Sequence, residues 1–284
     1  MQNLKFSLVL ATLGRVQQVE EFIKSISIQT YPLELIEVII VDQNEDDRLN
    51  DIVTKYNNIV SITHVKSSVK GLSVNRNIGI KKANGDIICF PDDDCIYPCD
   101  AVSKVANHMS TSIDNFIMGR IYDPKKGKHS FRTWPLNNKI INKFNFYRLT
   151  SSITMFFRKI ENEEDILFDV DFGVGAKNHS NEDAIYVYKH LLNNKKGQYI
   201  SDIAIFHDDQ PINSLECDKV KNYSYGFGRF IKKYRSFPLL CLFIMSLLFQ
   251  MYGAIKSLLI FDLYGFKLRT TSMMSRFRGL YDNE

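Results

Sequence analysis

The stretch ANGDIICFPDDDC, residues 83–95, decides the fold. Asn84-Gly85 reads as a helix stop, and Ile87 to Phe90 as a short apolar strand buried on both faces. Pro91 ends that strand, and Asp92, Asp93 and Asp94 follow at its carboxyl end. Three adjacent carboxylates repel one another. A solvated turn tolerates them, whereas a hard divalent cation, Mg²⁺ or Mn²⁺, removes the repulsion and shares its oxygen ligands with substrate phosphates. Such a cation acts as a Lewis acid on a departing diphosphate.

Upstream, the same strand-then-helix unit repeats. Phe6 to Ala11 is a buried-type strand, and Val16 to Ile28 has helical spacing with Val16, Val19, Phe22, Ile23 and Ile26 on one stripe. Glu37 to Val41 and Ser61 to Val65 are further strands, and Gly71 to Ala83 is a helix with Ser73 as its expected N-cap. This alternation predicts an α/β fold with a mainly parallel central sheet and helices on both faces. Ligands of such sheets bind beyond the carboxyl ends of the strands, and those ends carry Thr12, Asp42 and Asp92 to Asp94.

Downstream the pattern is looser. Residues 123–145 read as a loop around Trp134-Pro135, whose aromatics Phe131, Trp134 and Tyr147 either stack on a sugar or pack the loop onto the body. Ser152 to Phe157 and Tyr199 to Phe206 read as strands, with a helix from Asn181 to Leu192 between them. His207, at the end of the last strand, is either a metal ligand or a solvated histidine before Asp208-Asp209. Gly226-Phe227-Gly228 reads as a turn between helices, because no strand precedes it to form a phosphate loop.

The net charge of +4 conceals an asymmetry: residues 219–284 carry +8 and the preceding 218 carry −4. Within that basic tail, Phe237 to Ile255 holds no charge and is flanked by Lys232, Lys233, Arg235 and Lys256. Nineteen residues lie at the lower limit for a bilayer span, so a helix lying at the membrane interface fits at least as well. The division expected is a catalytic domain at 1–215 (nucleotide-sugar half 1–120, acceptor half 121–215) and a helical membrane-associating tail at 216–284. Five cysteines with no CxxC spacing argue against a zinc site or disulfide framework, and the N-terminus runs directly into a strand. The expected location is the cytoplasmic side of the cell membrane, with the tail peripheral or monotopic.

Five ordered segments over residues 4–210 resemble glycosyltransferase family 2, of GT-A fold: FSLVLATLGR, EVIIVD, GLSVNRNIG, ANGDIICFPDDDC and NED at 181–183. Ala11 departs from the proline that the family commonly has before the threonine. The resemblance implies a nucleotide pocket lined by Thr12 and Arg15, with Asp42 accepting a hydrogen bond from a uracil or thymine imide and Arg76 reaching the base or diphosphate. It implies Asp92 on ribose or metal, Asp93 nearby in the donor site, and Asp94 as a direct ligand of Mn²⁺ or Mg²⁺, joined by His207. It makes Asp183 the general base of an inverting displacement, with Glu182 holding the acceptor and Trp134 lining its cleft. Acids in the first turn of a helix also have a purely local explanation in the helix dipole.

The activity implied is sugar transfer from a UDP- or dTDP-linked donor to a saccharide or lipid-linked saccharide in surface-polysaccharide assembly, with no nucleic-acid partner. A sugar-phosphate nucleotidyltransferase would need a glycine-rich loop after the first strand, where Leu13-Gly14-Arg15 offers one glycine. A non-enzymatic membrane- or nucleic-acid-binding protein would leave the aspartate cluster and the NED triplet without a role.

Overall fold

The computed structural model describes residues 3–159, 166–208 and 216–282. Its first half follows the alternation: β1 (Phe6–Thr12), α1 (Gln17–Ser27), β2 (Ile36–Asp42), α2 (Asn50–Tyr56), β3 (Ser61–Lys66), α3 (Leu72–Ile80), β4 (Ile87–Cys89) and α4 (Ala101–Thr111). Then come β5 (Phe116–Asp123), β6 (Lys128–His129), β7 (Lys139–Ile141), α5 (Phe146–Leu149), β8 (Met155–Arg158), α6 (Glu182–Leu192) and β9 (Gly197–Phe206). Three helices end the chain: α7 (Cys217–Tyr234), α8 (Phe237–Leu259) and α9 (Leu263–Tyr281).

The strands form one sheet in the order β3-β2-β1-β4-β8-β5-β9-β7, with β6 paired to β5. The first four are mutually parallel. Beyond them β8 runs antiparallel to β4 and β5, while β9 runs parallel to β5. The sheet is therefore parallel where the sequence alternates regularly and mixed beyond it. Strand β1 lies between β2 and β4, so the chain winds away from it in both directions. That reversal opens a crevice at the carboxyl ends of β1 and β4.

Every residue of β1 is buried, as an apolar strand covered on both faces requires. Helix α3 lies against β1 and β2 at Gly79, where an added Cβ would overlap Val9 and approach Val41. Ser73 does not cap α3. Gly71 does, at φ +125°, a conformation open to glycine alone, and the Ser73 hydroxyl instead donates to the carbonyl of Phe172 at 2.5 Å.

The expected loop at 123–145 contains the two short strands β6 and β7. Trp134 is 1% exposed, stacks on Tyr199 and donates from its indole to the Ser130 carbonyl at 3.1 Å. This removes it from the acceptor cleft: its ring packs the loop onto the body.

Gly226 and Gly228 also correct the sequence reading, since both lie inside α7 rather than in a turn. A Cβ at Gly226 would overlap the Asn178 carbonyl, and one at Gly228 would overlap the Arg276 carbonyl of α9. Helix α7 is thus wedged between body and tail at backbone contact distance, for which helix-weakening glycine is the suitable residue. The 215/216 boundary itself falls outside the described residues on its N-terminal side.

Candidate active site

The register of β1 against β2 places Thr12 beside Asp42. Asp93 accepts from the Thr12 hydroxyl at 2.7 Å, which ties the aspartate cluster to the end of β1. Arg15, from the loop after β1, pairs with Asp94 and lies 3.2 Å from Asp93. His207 Nε2 reaches Asp94 Oδ1 at 3.3 Å from the end of β9. Burial pushes the Asp94 carboxyl up, but hydrogen bonds from His207 and Arg15 outweigh it and hold the group below the ordinary carboxylate range.

Among the described residues no three His, Cys, Asp or Glu side chains converge as a metal cage. The donor set still suits Mn²⁺ or Mg²⁺, which take few protein ligands when a substrate diphosphate completes their shell. Asp94 supplies a carboxylate held in its ionised form. The His207 Nδ1 lies 2.8 Å from the Asp208 carbonyl, so a proton kept there would let Nε2 turn to a cation in place of its hydrogen bond to Asp94.

Asp42 is enclosed. One oxygen accepts from the Asn44 backbone and side chain at 2.8 and 2.7 Å; the other meets His64 at 3.0 Å and Lys66 at 3.2 Å. Burial raises its carboxyl, and these partners together bring it below its ordinary value. His64 and Lys66 escaped the sequence reading, although alternation along β3 puts them on one face beside the end of β2. Both oxygens of Asp42 are thus engaged by neighbouring side chains.

Arg76 is also placed differently from the expectation of a base or diphosphate contact. It is 0% exposed, donates to Asp92 at 2.7 Å, lies 3.6 Å from Glu182 and stacks on Phe168. It hydrogen-bonds Asp92 and lies within ion-pair distance of Glu182, while its Nε and Nη1 are buried without a hydrogen-bond partner among the described residues. Burial keeps the Asp92 carboxyl above its ordinary value despite that partner.

Asn181 adopts a left-handed conformation (φ +71°) and turns the chain into α6, whose first residues are Glu182 and Asp183. The amide groups of a helix N-terminus favour negative charge there, and Asp183 accepts from the Ala184 N–H at 2.7 Å. Burial, and then the neighbouring Asp183, push the Glu182 carboxyl up to about 7. Gly173 approaches this pair at φ +106°, where a Cβ would come within 3.2 Å of the Glu182 carboxyl carbon.

Asp92, Glu182 and Asp183 open into one cavity of about 550 Å³. Its far wall comes from Tyr147, one of the aromatics weighed for a sugar contact, and from residues that sequence reasoning had not assembled: Arg132, and Tyr223, Ser224, Phe227 and Arg276 of the tail helices. The tail therefore forms part of the site. Thr12, Arg15, Asp42, Asp93 and Asp94 lie at the strand ends outside this cavity, and Asp92 is the member of the aspartate cluster that lines it.

Residues 7–163, more than half the chain, match the sequence profile described as Glycosyl transferase family 2. The chain belongs to glycosyl transferase family 2. Among its relatives is the poly(ribitol-phosphate) beta-N-acetylglucosaminyltransferase TarP of Staphylococcus aureus, 26% identical over 196 residues, which are 62% of this chain and 59% of TarP. Another is the poly(ribitol-phosphate) beta-glucosyltransferase of Bacillus spizizenii, 30% identical over 42% of this family 2 chain and 19% of that protein. The chain thus spans less than two thirds of the length of these relatives.

Two solved structures share the fold. Residues 1–349 of S. aureus TarS, in complex with UDP-GlcNAc, superpose with a TM-score of 0.60 at 18% identity, over 81% of this chain and 71% of that one. The mannosyltransferase PcManGT of Pyrobaculum calidifontis, in complex with GDP-Man and Mn²⁺, gives 0.63 at 12% identity, over 99% and 88%.

Proposed function

We propose that the chain transfers a sugar, with inversion, from a UDP- or dTDP-linked donor to an acceptor hydroxyl of a lipid-linked saccharide in surface-polysaccharide assembly. The observation that carries this is the junction at Asp92. A crevice with a cation-compatible Asp94–His207 pair lies on one side, and a cavity holding Asp183 lies on the other. The names of the relatives, which are sugar transferases acting on a polyol phosphate polymer, agree with this reading.

In this account Thr12, Arg15, Asp42 and Asp93 hold the nucleotide and diphosphate, and Asp92 meets the ribose or the metal. Asp94 and His207 hold a divalent cation, which when bound neutralises charge on the departing nucleotide diphosphate. Glu182 positions the acceptor. Asp183 takes the proton of the acceptor hydroxyl as its oxygen bonds to the anomeric carbon and the bond from that carbon to the diphosphate breaks. Arg76 keeps Asp92 and Glu182 in place. Chelation with EDTA is expected to abolish nucleotide release, and Mn²⁺ to restore it; Asp94→Asn loses about 10²-fold in kcat and needs more Mn²⁺ for half-activation. Full turnover in EDTA would sink the metal assignment.

Helix α8 supports the membrane location. Among the described residues it is the one helix long and apolar enough to cross a membrane, by length and composition only. It buries a single stripe, Leu239, Phe243, Gln250, Ala254 and Ser257, and exposes Leu240, Met245, Leu248, Tyr252 and Leu259. An apolar face beside basic flanks suits an anionic bilayer surface at the cytoplasmic side. Triple replacement of Met245, Leu248 and Tyr252 by glutamate should lower co-sedimentation with phosphatidylglycerol vesicles about tenfold or more, with an unchanged melting temperature. Equal partitioning of wild type and variant would remove the membrane step. Truncation after residue 218 is a poorer test, because it deletes α7 and hence one wall of the cavity.

A further inference from the structure

The cavity that holds Asp183 also holds two arginines with no carboxylate partner among the described residues. Arg132 donates to the carbonyls of Tyr147 and Arg148, each at 3.1 Å, and lies over the Trp134 ring. Arg276 reaches Ser224 at 3.1 Å and Ser272, lies over Phe227, and leaves its Nε buried without a hydrogen-bond partner. Arg276 is the more enclosed of the two, and burial lowers the pKa of its guanidinium, the cost expected of a cation drawn partly out of water. An anion entering the cavity offsets that cost, and guanidinium groups match phosphate oxygens in geometry.

Thr12, Arg15, Asp42 and Asp94, the residues assigned to the donor nucleotide and diphosphate, do not line this cavity. A second cavity, of about 380 Å³, shares Tyr223 and Ser224 with the first and leads along α8 and α9 past Arg269 and Lys256. Arg269 is held by the Gln250 side chain at 3.0 Å and by the Phe249 ring. Cations therefore run from the acid pair towards the apolar face of α8. A molecule presenting a hydroxyl to Asp183 and a phosphate to Arg132 and Arg276 would engage both groups of this one cavity.

Resting on the transferase reading, we infer that the acceptor carries a phosphate ester, recognised by Arg132 and Arg276, with Arg269 and Lys256 continuing the track. Two sources share this chemistry: a polyol phosphate chain and a lipid diphosphate-linked saccharide. The test compares an oligo(ribitol phosphate) with neutral ribitol, and farnesyl-diphosphate-linked N-acetylglucosamine with the farnesyl glycoside, using whichever nucleotide sugar the full chain turns over. Wild type should favour one phosphorylated probe over its neutral counterpart by about tenfold or more in kcat/KM, and the probe favoured identifies the source. Arg276→Gln and Arg132→Gln should each reduce that preference ratio several-fold through KM, and Arg276→Lys should restore part of it. The ratio is taken within one preparation, so loss of folded protein does not alter it. Equal use of phosphorylated and neutral probes overturns the inference, as does an unchanged ratio in both variants. Nucleotide release without transfer to either phosphorylated probe overturns it too, while absence of any nucleotide release with any donor defeats the transferase reading itself.

Discussion

Replacing Asp183 by asparagine should lower kcat about 10²- to 10⁴-fold, the usual contribution of a positioned general base, with little change in the KM for the donor. Asparagine keeps the shape of the side chain and its ability to accept from the Ala184 N–H. What it loses is the capacity to take a proton. The same pair predicts the pH profile. The adjacent Glu182 is raised to about 7 by burial and then by the negative charge of Asp183, so its ionisation falls within the working pH range. Activity should therefore rise with pH through neutrality as the pair becomes fully ionised. In the Asp183→Asn protein, Glu182 loses its negative neighbour and its pKa should fall towards the ordinary value. A variant within threefold of wild type would remove Asp183 as the base. A larger loss in Glu182→Gln than in Asp183→Asn would move that role to Glu182.

The second large effect is on stability. Arg76→Met should destabilise the fold by about 3–5 kcal/mol, the range for leaving a buried charge unpaired, and lower Tm by about 10 °C. Arg76 is wholly buried between Asp92 and Glu182, so its loss leaves their carboxylates, with Asp183 beside them, without a common counter-charge. The pH dependence has a definite sign. The folded-state pKa of Glu182 is raised from 4.5 to about 7, so its contribution to stability is present below pH 4.5 and lost as pH rises towards 7. Without Arg76 that pKa rises further, because Arg76 is among the groups that lower it. The deficit of the variant should thus be smallest in mild acid and grow above neutrality. Equal melting temperatures at pH 5 and pH 8, both close to wild type, would contradict the role given to Arg76.

The gathering of the strand-end residues was legible because parallel strands leave a simple sequence mark. Apolar runs ending in Thr12, Asp42 and Asp92 to Asp94 identify strand ends, and in a sheet of this kind strand ends are adjacent in space. Asp183 was legible for a related reason, since an acid pair opening an amphipathic helix marks a helix N-terminus. The acceptor half was not. Arg276 is one of many cations in the tail, and only the packing of α9 against α7, through Gly228 and Gly279, brings it to the cavity. Trp134 misled because an aromatic in a polar loop looks the same in sequence whether it faces a sugar or Tyr199. Gly226 and Gly228 misled because glycine serves close helix packing as well as turns. The burial of Arg76 was not legible, since it lies over Phe168, 92 positions away in the chain.

The central claim is a single displacement at the anomeric carbon with Asp183 as base. It is tested most directly by a ¹H NMR time course of the full chain with Mn²⁺, a nucleotide sugar of α configuration and the preferred acceptor. The expected result is loss of the donor anomeric signal matched by a new β-linked signal, with nucleotide diphosphate released in equal amount. An α-linked product, or a donor that remains intact across a panel of UDP- and dTDP-sugars, would contradict it.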